Sequence, residues 1–423
     1  MLLGARQVGK TYALKEFGRT SFGQTHCVNF EEDERVGKTF ERDLKPARIV
    51  NELQFLVDKA IDRQADLLIL DEIQRCPRAL TSLKYFAEEM PELAICAAGS
   101  LLGVTLADES FPVGKVTLAR LRPMSFAEFL GGTGREQFLA LLREHDLGGP
   151  FPETAHERLW EIWKHYVVVG GLPEVVGEYA KRKDDTYEAM KAVRKIQRDL
   201  LDTYMADIAK HSGKANAIHV ERLWRNVPAQ LARTQHGSAP KFRFRDAVPG
   251  LRGYGRLSGA LDWLGRAELV IRVPVVDAVG TPLAGMEKEN TFKLYFFDVG
   301  LLGLLGGIAP ATMLEYGYGA YQGYVAENFV AQELRAADAG TLHCWQGRTA
   351  EVEFLVETGR EVVPVEVKSG HITRSKSLGV FEERYNPAQS FVLSANNVSR
   401  KGKRRFLPLY AAGRLGRMLA GEP

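Results

Sequence analysis

Residues 4–11 read Gly4-Ala5-Arg6-Gln7-Val8-Gly9-Lys10-Thr11, a complete G-x-x-x-x-G-K-[ST] pattern. The pattern calls for a buried strand, a glycine-bounded turn and a helix in immediate succession. In that geometry consecutive backbone N–H groups converge on phosphate oxygens, and the positive end of the helix starting near Lys10 adds to the attraction. Lys10 is expected to reach the β- and γ-phosphates and the Thr11 hydroxyl to ligate Mg²⁺. All eight residues are therefore candidate nucleotide-binding residues, with ATP and Mg²⁺ as the expected cofactors.

The flanks fit this reading unevenly. Tyr12-Ala13-Leu14-Lys15-Glu16-Phe17 reads as a helix that Gly18 should stop as a C′ glycine. Only Met1-Leu2-Leu3 precedes Gly4, fewer residues than the about five of a usual strand. Either the start lies upstream and the first strand is truncated, which is the expectation, or the strand is completed in an unusual way.

A phosphate loop needs acids on a neighbouring strand. Leu67-Leu68-Ile69-Leu70-Asp71-Glu72 supplies four apolar residues and then two carboxylates, the form of a buried parallel strand whose C-terminal end faces a nucleotide. Asp71 is expected to hold Mg²⁺, and Glu72 to polarise the attacking water as general base. The plainer alternative, a strand ending in solvated acids, is outweighed by the complete loop upstream. Ala98-Gly99-Ser100 ends the next strand, so Ser100 is a catalytic sensor candidate, although a serine there also suits an ordinary turn. Arg120 and Arg122, or Lys115, are candidates for an arginine finger. Glu31, Glu32 and Asp33 read as a solvated loop.

With 423 residues, 45% hydrophobic and 26% charged, the chain suits a globular protein of two to four domains. A net charge of +3 gives the whole molecule little pull on nucleic acid or anionic membrane, so such contacts must come from local patches. Cys27, Cys76, Cys96 and Cys344 form no C-x-x-C pair, which argues against zinc and for a reducing cytoplasm. No secretory signal and no membrane-spanning apolar run is expected.

The apolar patterning divides the chain into four expected segments. From residue 1 to 124, strands at His26–Phe30, Leu67–Leu70 and Ala94–Ala98 alternate with helices, the rhythm of a parallel α/β sheet. From 125 to 205, opened by the capping-box sequence Ser125-Phe126-Ala127-Glu128, the pattern is almost wholly helical and reads as a lid or linker, punctuated by Gly170-Gly171-Leu172-Pro173. From 206 to 310, helices lead into strands at Glu268–Val273 and Phe292–Phe297, which suggests a winged helix. From 311 to 423 a helix around Val325–Ala336 runs into a hairpin and further α/β segments.

That hairpin carries a second constellation. If Gly359-Arg360 is a two-residue loop, alternation sets Val352 opposite Val367, Phe354 opposite Val365 and Val356 opposite Val363 on one face. The same register sets Glu353 opposite Glu366 and Glu351 opposite Lys368 on the other. Like charges directly opposed destabilise a hairpin. Two carboxylates with a lysine nearby suit a divalent cation and a phosphodiester transition state, whereas the plain alternative is a solvated face of alternating charges.

The E…E-x-K arrangement resembles the core of PD-(D/E)-x-K nucleases, which implies a possible site of Glu327, Glu353, Glu366 and Lys368, with Glu327 as the helical acid and Glu353 where such enzymes typically carry Asp. The chain as a whole is similar to prokaryotic AAA-type P-loop ATPases with a C-terminal domain of unknown function related to the restriction-endonuclease fold. The residues that carry this resemblance are Gly4–Thr11, Leu70–Gln74, Arg122–Glu128, Gly170–Glu174, Phe292–Gly300, Glu327-Asn328 and Pro364–Lys368. It implies an α/β P-loop NTPase parallel sheet with a helical lid, a winged-helix segment and a nuclease-like C-terminal α/β domain.

Lys241-Phe242-Arg243-Phe244-Arg245, followed by Arg252 and Arg256 before a recognition helix, and Lys401-Gly402-Lys403-Arg404-Arg405 are candidate DNA-contacting patches, although short basic runs are usually solvated faces. The resulting expectation is a cytoplasmic Mg²⁺-dependent ATPase controlling a DNA-directed C-terminal domain, able to form homo-oligomers and without a membrane segment. The rival is a nucleotide-gated DNA- or protein-binding switch with negligible turnover and an inactive tail.

Overall fold

The structure, a computed structural model, describes residues 1–100, 104, 114–233, 241–316, 321–359 and 361–421. It divides into two compact units, residues 1–122 with 266–268 and residues 123–265 with 269–423.

In the first unit, β1 (Leu2–Leu3), β2 (Thr25–Asn29), β3 (Leu67–Asp71), β4 (Ala94–Ala98) and β5 (Ala119–Arg120) form a parallel sheet in the order β2-β3-β4-β1-β5. The short first strand is seated between β4 and β5, with Leu2 beside both Ala98 and Ala119. Apolar residues fill every position of β3 before Asp71 because both sheet faces are covered. Leu68 and Leu70 enter the larger core with Ile49, Leu53 and Leu80, whereas Leu67 and Ile69 pack with Leu14 on the other side. Among the described residues its helices include α1 (Lys10–Ser21), α2 (Glu34–Lys38), α3 (Pro46–Leu56) and α4 (Pro77–Glu89).

Gly18 does not stop α1, which runs on to Ser21. A Cβ at Gly18 would lie 2.2 Å from Thr25 Oγ1. The glycine is there to let the helix approach β2, a long-range requirement that reads like a helix end in local sequence.

The second unit opens with helices Phe126–Gly132, Glu136–Glu144, Glu153–Val169, Pro173–Arg182, Thr186–His211 and Lys214–Ala232. The capping box forms as expected, with the Ser125 hydroxyl accepting from Glu128 N and the Glu128 carboxylate accepting from Ser125 N. Gly170 and Gly171 make the tight link after Val169. Gly170 has φ 78°, and a Cβ on Gly171 would fall 2.2 Å from Met124 O. Gly171 N donates to Asp298 Oδ2 at 2.7 Å, and Asp298 Oδ1 caps helix Val299–Leu305 by accepting from Leu301 N at 2.9 Å.

Among its described residues this unit also has eight strands: β6 (Val270–Val276), β7 (Phe292–Phe296), β8 (Leu342–Gln346), β9 (Glu351–Glu357), β10 (Val362–Val367), β11 (Ser390–Ser394), β12 (Ser399–Lys401) and β13 (Arg404–Pro408). They form one mixed sheet, β12-β13-β11-β10-β9-β8-β6-β7. The expected β9–β10 register holds, with Val363 beside Val356 and Val365 beside Phe354. Arg360 lies outside the described residues.

Two expectations are corrected here. The strand pair expected as a wing is the edge of the large sheet, because β6 pairs in parallel with β8 through Val275–Cys344 and Val276–Trp345. The helices expected as a lid are tied to the C-terminal residues by buried polar bonds. Phe126 N donates to Glu333 Oε1 at 2.8 Å, and Gln332 Nε2 donates to the Tyr166 hydroxyl at 2.8 Å. The segments anticipated as 125–205, 206–310 and 311–423 thus share one unit.

In the Lys241–Arg245 alternation Arg243 and Arg245 are exposed while the aromatic rings pack inward. Phe242 is buried and stacks on Phe292 with ring centroids 5.7 Å apart, and Phe244 packs edge-on to Phe242 and Tyr254.

Candidate functional site

The phosphate loop adopts backbone conformations that explain its glycines. Gly4 has φ 146°, and a Cβ there would lie 2.1 Å from Leu121 O; Gln7 and Gly9 take φ 63° and 93°. Ala5 and Val8 are buried beneath the loop, while Arg6 is half-buried. Lys10, at the first position of α1, is buried and donates from Nζ to Gly4 O at 2.9 Å and Ala5 O at 2.7 Å. Burial pulls its pKa down to about 8, against the opposing influence of Glu72 and Asp71.

Both acids lie beside this loop. Thr11 Oγ1 donates to Asp71 Oδ2 at 2.9 Å across the β3–α1 gap. Burial raises the Asp71 pKa, which the Thr11 hydroxyl partly offsets. A hydroxyl beside a buried carboxylate is the hard-oxygen donor set that Mg²⁺ accepts, so these residues fit the cation. Glu72 follows with φ 53°, a left-handed conformation unusual for a non-glycine residue and concentrated at functional positions. Its Oε2 accepts from the Ser100 hydroxyl at 3.1 Å and from Gln74 Nε2. Gln74 is a contact that sequence reasoning missed, although it stands two residues after Glu72.

The finger candidates are otherwise engaged. Arg120, on β5, pairs with Glu268 at 3.1 Å, Lys115 lies 3.3 Å from Glu88, and Arg122 is half-buried with partners of its own.

The carboxy-terminal acids also come together, inside the second unit. Glu327 on helix Tyr321–Ala336, Glu353 on β9 and Glu366 on β10 are all buried. Lys368 Nζ lies 2.6 Å from Glu366 Oε1. Glu353 Oε2 accepts from Val367 N at 3.1 Å, and burial, followed by Glu366 and Glu327, pushes its pKa well up. Glu366 Oε2 is buried without a hydrogen-bond partner.

Sequence reasoning missed Lys293 and Tyr295 on β7. Lys293 Nζ, fully buried, stands 2.5 Å from Glu351 Oε1 and 3.7 Å from Glu327 Oε2, while the Tyr295 hydroxyl donates to Glu327 Oε2 at 2.8 Å. Burial would lower the Lys293 pKa, yet Cys344, Tyr295, Glu327 and Glu351 together hold it well above its ordinary value. Glu351, expected opposite Lys368, is thus paired with Lys293. Among the described residues no group of three or more His, Cys, Asp and Glu side chains is arranged to hold a metal ion. Lys293 is placed against Glu351 and Glu327, and Lys368 against Glu366, so the buried acids form a partly salt-bridged cluster.

A family model for an AAA domain matches residues 1–130, and the phosphate loop, Asp71 and Glu72 all fall within it. The N-terminal part of the chain is an AAA-type P-loop domain that binds ATP. Two models for domains of unknown function match further on, DUF8612 over residues 161–312 and DUF4143 over residues 322–411. Among solved structures the chain is similar to the Walker-type ATPase PABY2304 of Pyrococcus abyssi, at 18% identity and a TM-score of 0.44, over 72% of this chain and 89% of that one. None of the curated proteins matches. No helix among the described residues is long and apolar enough to cross a membrane.

Proposed function

We propose that the chain is a Mg²⁺-dependent ATPase whose nucleotide cycle controls a DNA-directed C-terminal region. The observation that carries the ATPase reading is the Thr11–Asp71 hydrogen bond beside Glu72 and Ser100, which gathers the loop hydroxyl, both acids and the sensor candidate around one loop. Bound Mg²⁺, held by Thr11 and Asp71, would neutralise phosphate charge. Lys10 would exchange the Gly4 and Ala5 carbonyls for phosphate oxygens. Glu72, oriented by Ser100 and Gln74, would accept the proton of the water that attacks the γ-phosphorus as the bond to ADP breaks.

Phosphate release that disappears in Lys10→Ala and in Glu72→Gln, with ATP binding retained by Glu72→Gln, is the expected result. Turnover undiminished in Glu72→Gln would sink the assignment of the base. Support for the DNA-directed part comes from the exposed Arg400 and Lys401 on the β12–β13 hairpin. Charge reversal at both positions should weaken binding of duplex DNA, with a shallower salt dependence.

A second reading, a nucleotide-gated binding switch with an inactive tail, is favoured by the Lys293 ammonium lodged against Glu327 and Glu351. It is told apart by tight ATP binding without phosphate release, and by plasmid DNA that stays intact with Mg²⁺ or Mn²⁺. Cleavage lost in Lys368→Ala would instead establish a nuclease.

A further inference from the structure

Helix Thr186–His211 and helix Pro310–Glu315 line a cavity of about 570 Å³ in the second unit, within the range of about 300–1,000 Å³ typical of small-ligand pockets. Its lining combines the apolar Met190, Pro310 and Leu314 with Lys191, Arg194 and Arg198, the three cations spaced three and four residues apart along one helix. Arg194 is buried, and its guanidinium donates only to neutral acceptors: Gln197 Oε1 at 2.6 Å, Gly300 O at 3.2 Å, Ile308 O at 3.0 Å and the Met313 sulfur at 3.7 Å. Among the described residues no carboxylate pairs with Arg194 or Arg198. Burial and the neighbouring Arg198 pull the Arg194 pKa down to about 10. A buried cation without a counter-charge is costly, and an anion placed against both arginines would remove that cost.

We propose that this cavity binds a small amphipathic anion, its carboxylate or phosphate head against Arg194, Arg198 and Lys191 and its apolar body against Met190, Pro310 and Leu314. The site is separate from the ATP-binding loop and does not depend on the ATPase reading.

The probe is the fluorescent amphipathic anion anilinonaphthalene sulfonate, titrated into the full chain and displaced by dodecanoate, dodecyl phosphate or neutral dodecanol. Arg198 and Ala311 are exposed, so Arg198→Glu removes head-group charge and Ala311→Trp fills the cavity at positions where folding is spared; an unchanged melting temperature verifies it. Both variants should bind the probe about tenfold more weakly, the scale of a lost charge-assisted contact, with ATP binding unaffected. Displacement by dodecanoate alone identifies a carboxylate ligand, and by dodecyl phosphate alone a phosphate ligand. Equal probe affinity in wild type and both variants, or displacement by dodecanol as effective as by the two anions, overturns the proposal.

Discussion

The Lys293 ammonium lies 2.5 Å from the Glu351 carboxylate and 3.7 Å from that of Glu327, with no solvent exposure of its own side chain. A lysine thus sits between two acids, and its positive charge offsets theirs. Breaking a buried pair by removing one partner leaves the other charge stranded.

Lys293→Met is therefore expected to destabilise the protein by about 3–5 kcal/mol, and Mn²⁺ should recover part of that loss in the variant while doing little for wild type. Denaturant unfolding with and without the metal reads both effects. A variant as stable as wild type would show that the ion pair contributes nothing.

ATP affinity should fall as pH rises past about 8, because Lys10 has its pKa lowered to about 8 and only the ammonium form attracts phosphate. The decline should approach about tenfold per pH unit well above that value. Equilibrium titrations with a fluorescent ATP analogue across this range provide the check, and a flat profile refutes the link to Lys10.

Glu333 is fully buried, which raises its pKa to about 8 against an ordinary 4.5, while its Oε1 accepts from Phe126 N. The folded state then holds a proton that the unfolded state has released, so this contribution is complete below pH 4.5 and is lost as pH rises through about 8. The slope in that window is at most about 1.4 kcal/mol per pH unit. Melting curves of wild type and Glu333→Gln should diverge accordingly, wild type losing stability with rising pH faster than the variant.

Gly171→Ala should cost roughly 2–4 kcal/mol, since its Cβ would meet backbone, Met124 O at 2.2 Å, which cannot swing aside. Gly177→Ala, inside helix Pro173–Arg182 with nothing within 4 Å of a built Cβ, should instead be neutral or stabilising by up to about 1 kcal/mol. Comparing the two melting temperatures isolates the close approach from general glycine effects.

What could be read from the sequence was what local chemistry determines. The phosphate loop, β3, β4 and the β9–β10 register each follow from glycine placement, an apolar run or strict alternation closed by a short loop. What escaped depends on distant partners. The β6–β7 hairpin carries no mark saying that β8 lies beside it. Gly18 looks like a helix end until Thr25 is placed against it. Lys293 did leave a signal: a lysine among Phe292, Leu294 and Tyr295 in a buried strand demands a counter-charge, and Glu327 and Glu351 provide it.

The parallel seam between β6 and β8 has a consequence for biosynthesis. The ribosome delivers β6 and β7 well before β8, so this hairpin leaves the exit tunnel with a bare flank of unpaired amides and carbonyls. Until β8 follows, that flank is open to pairing with nascent neighbours, and chaperone demand should be greatest in this interval.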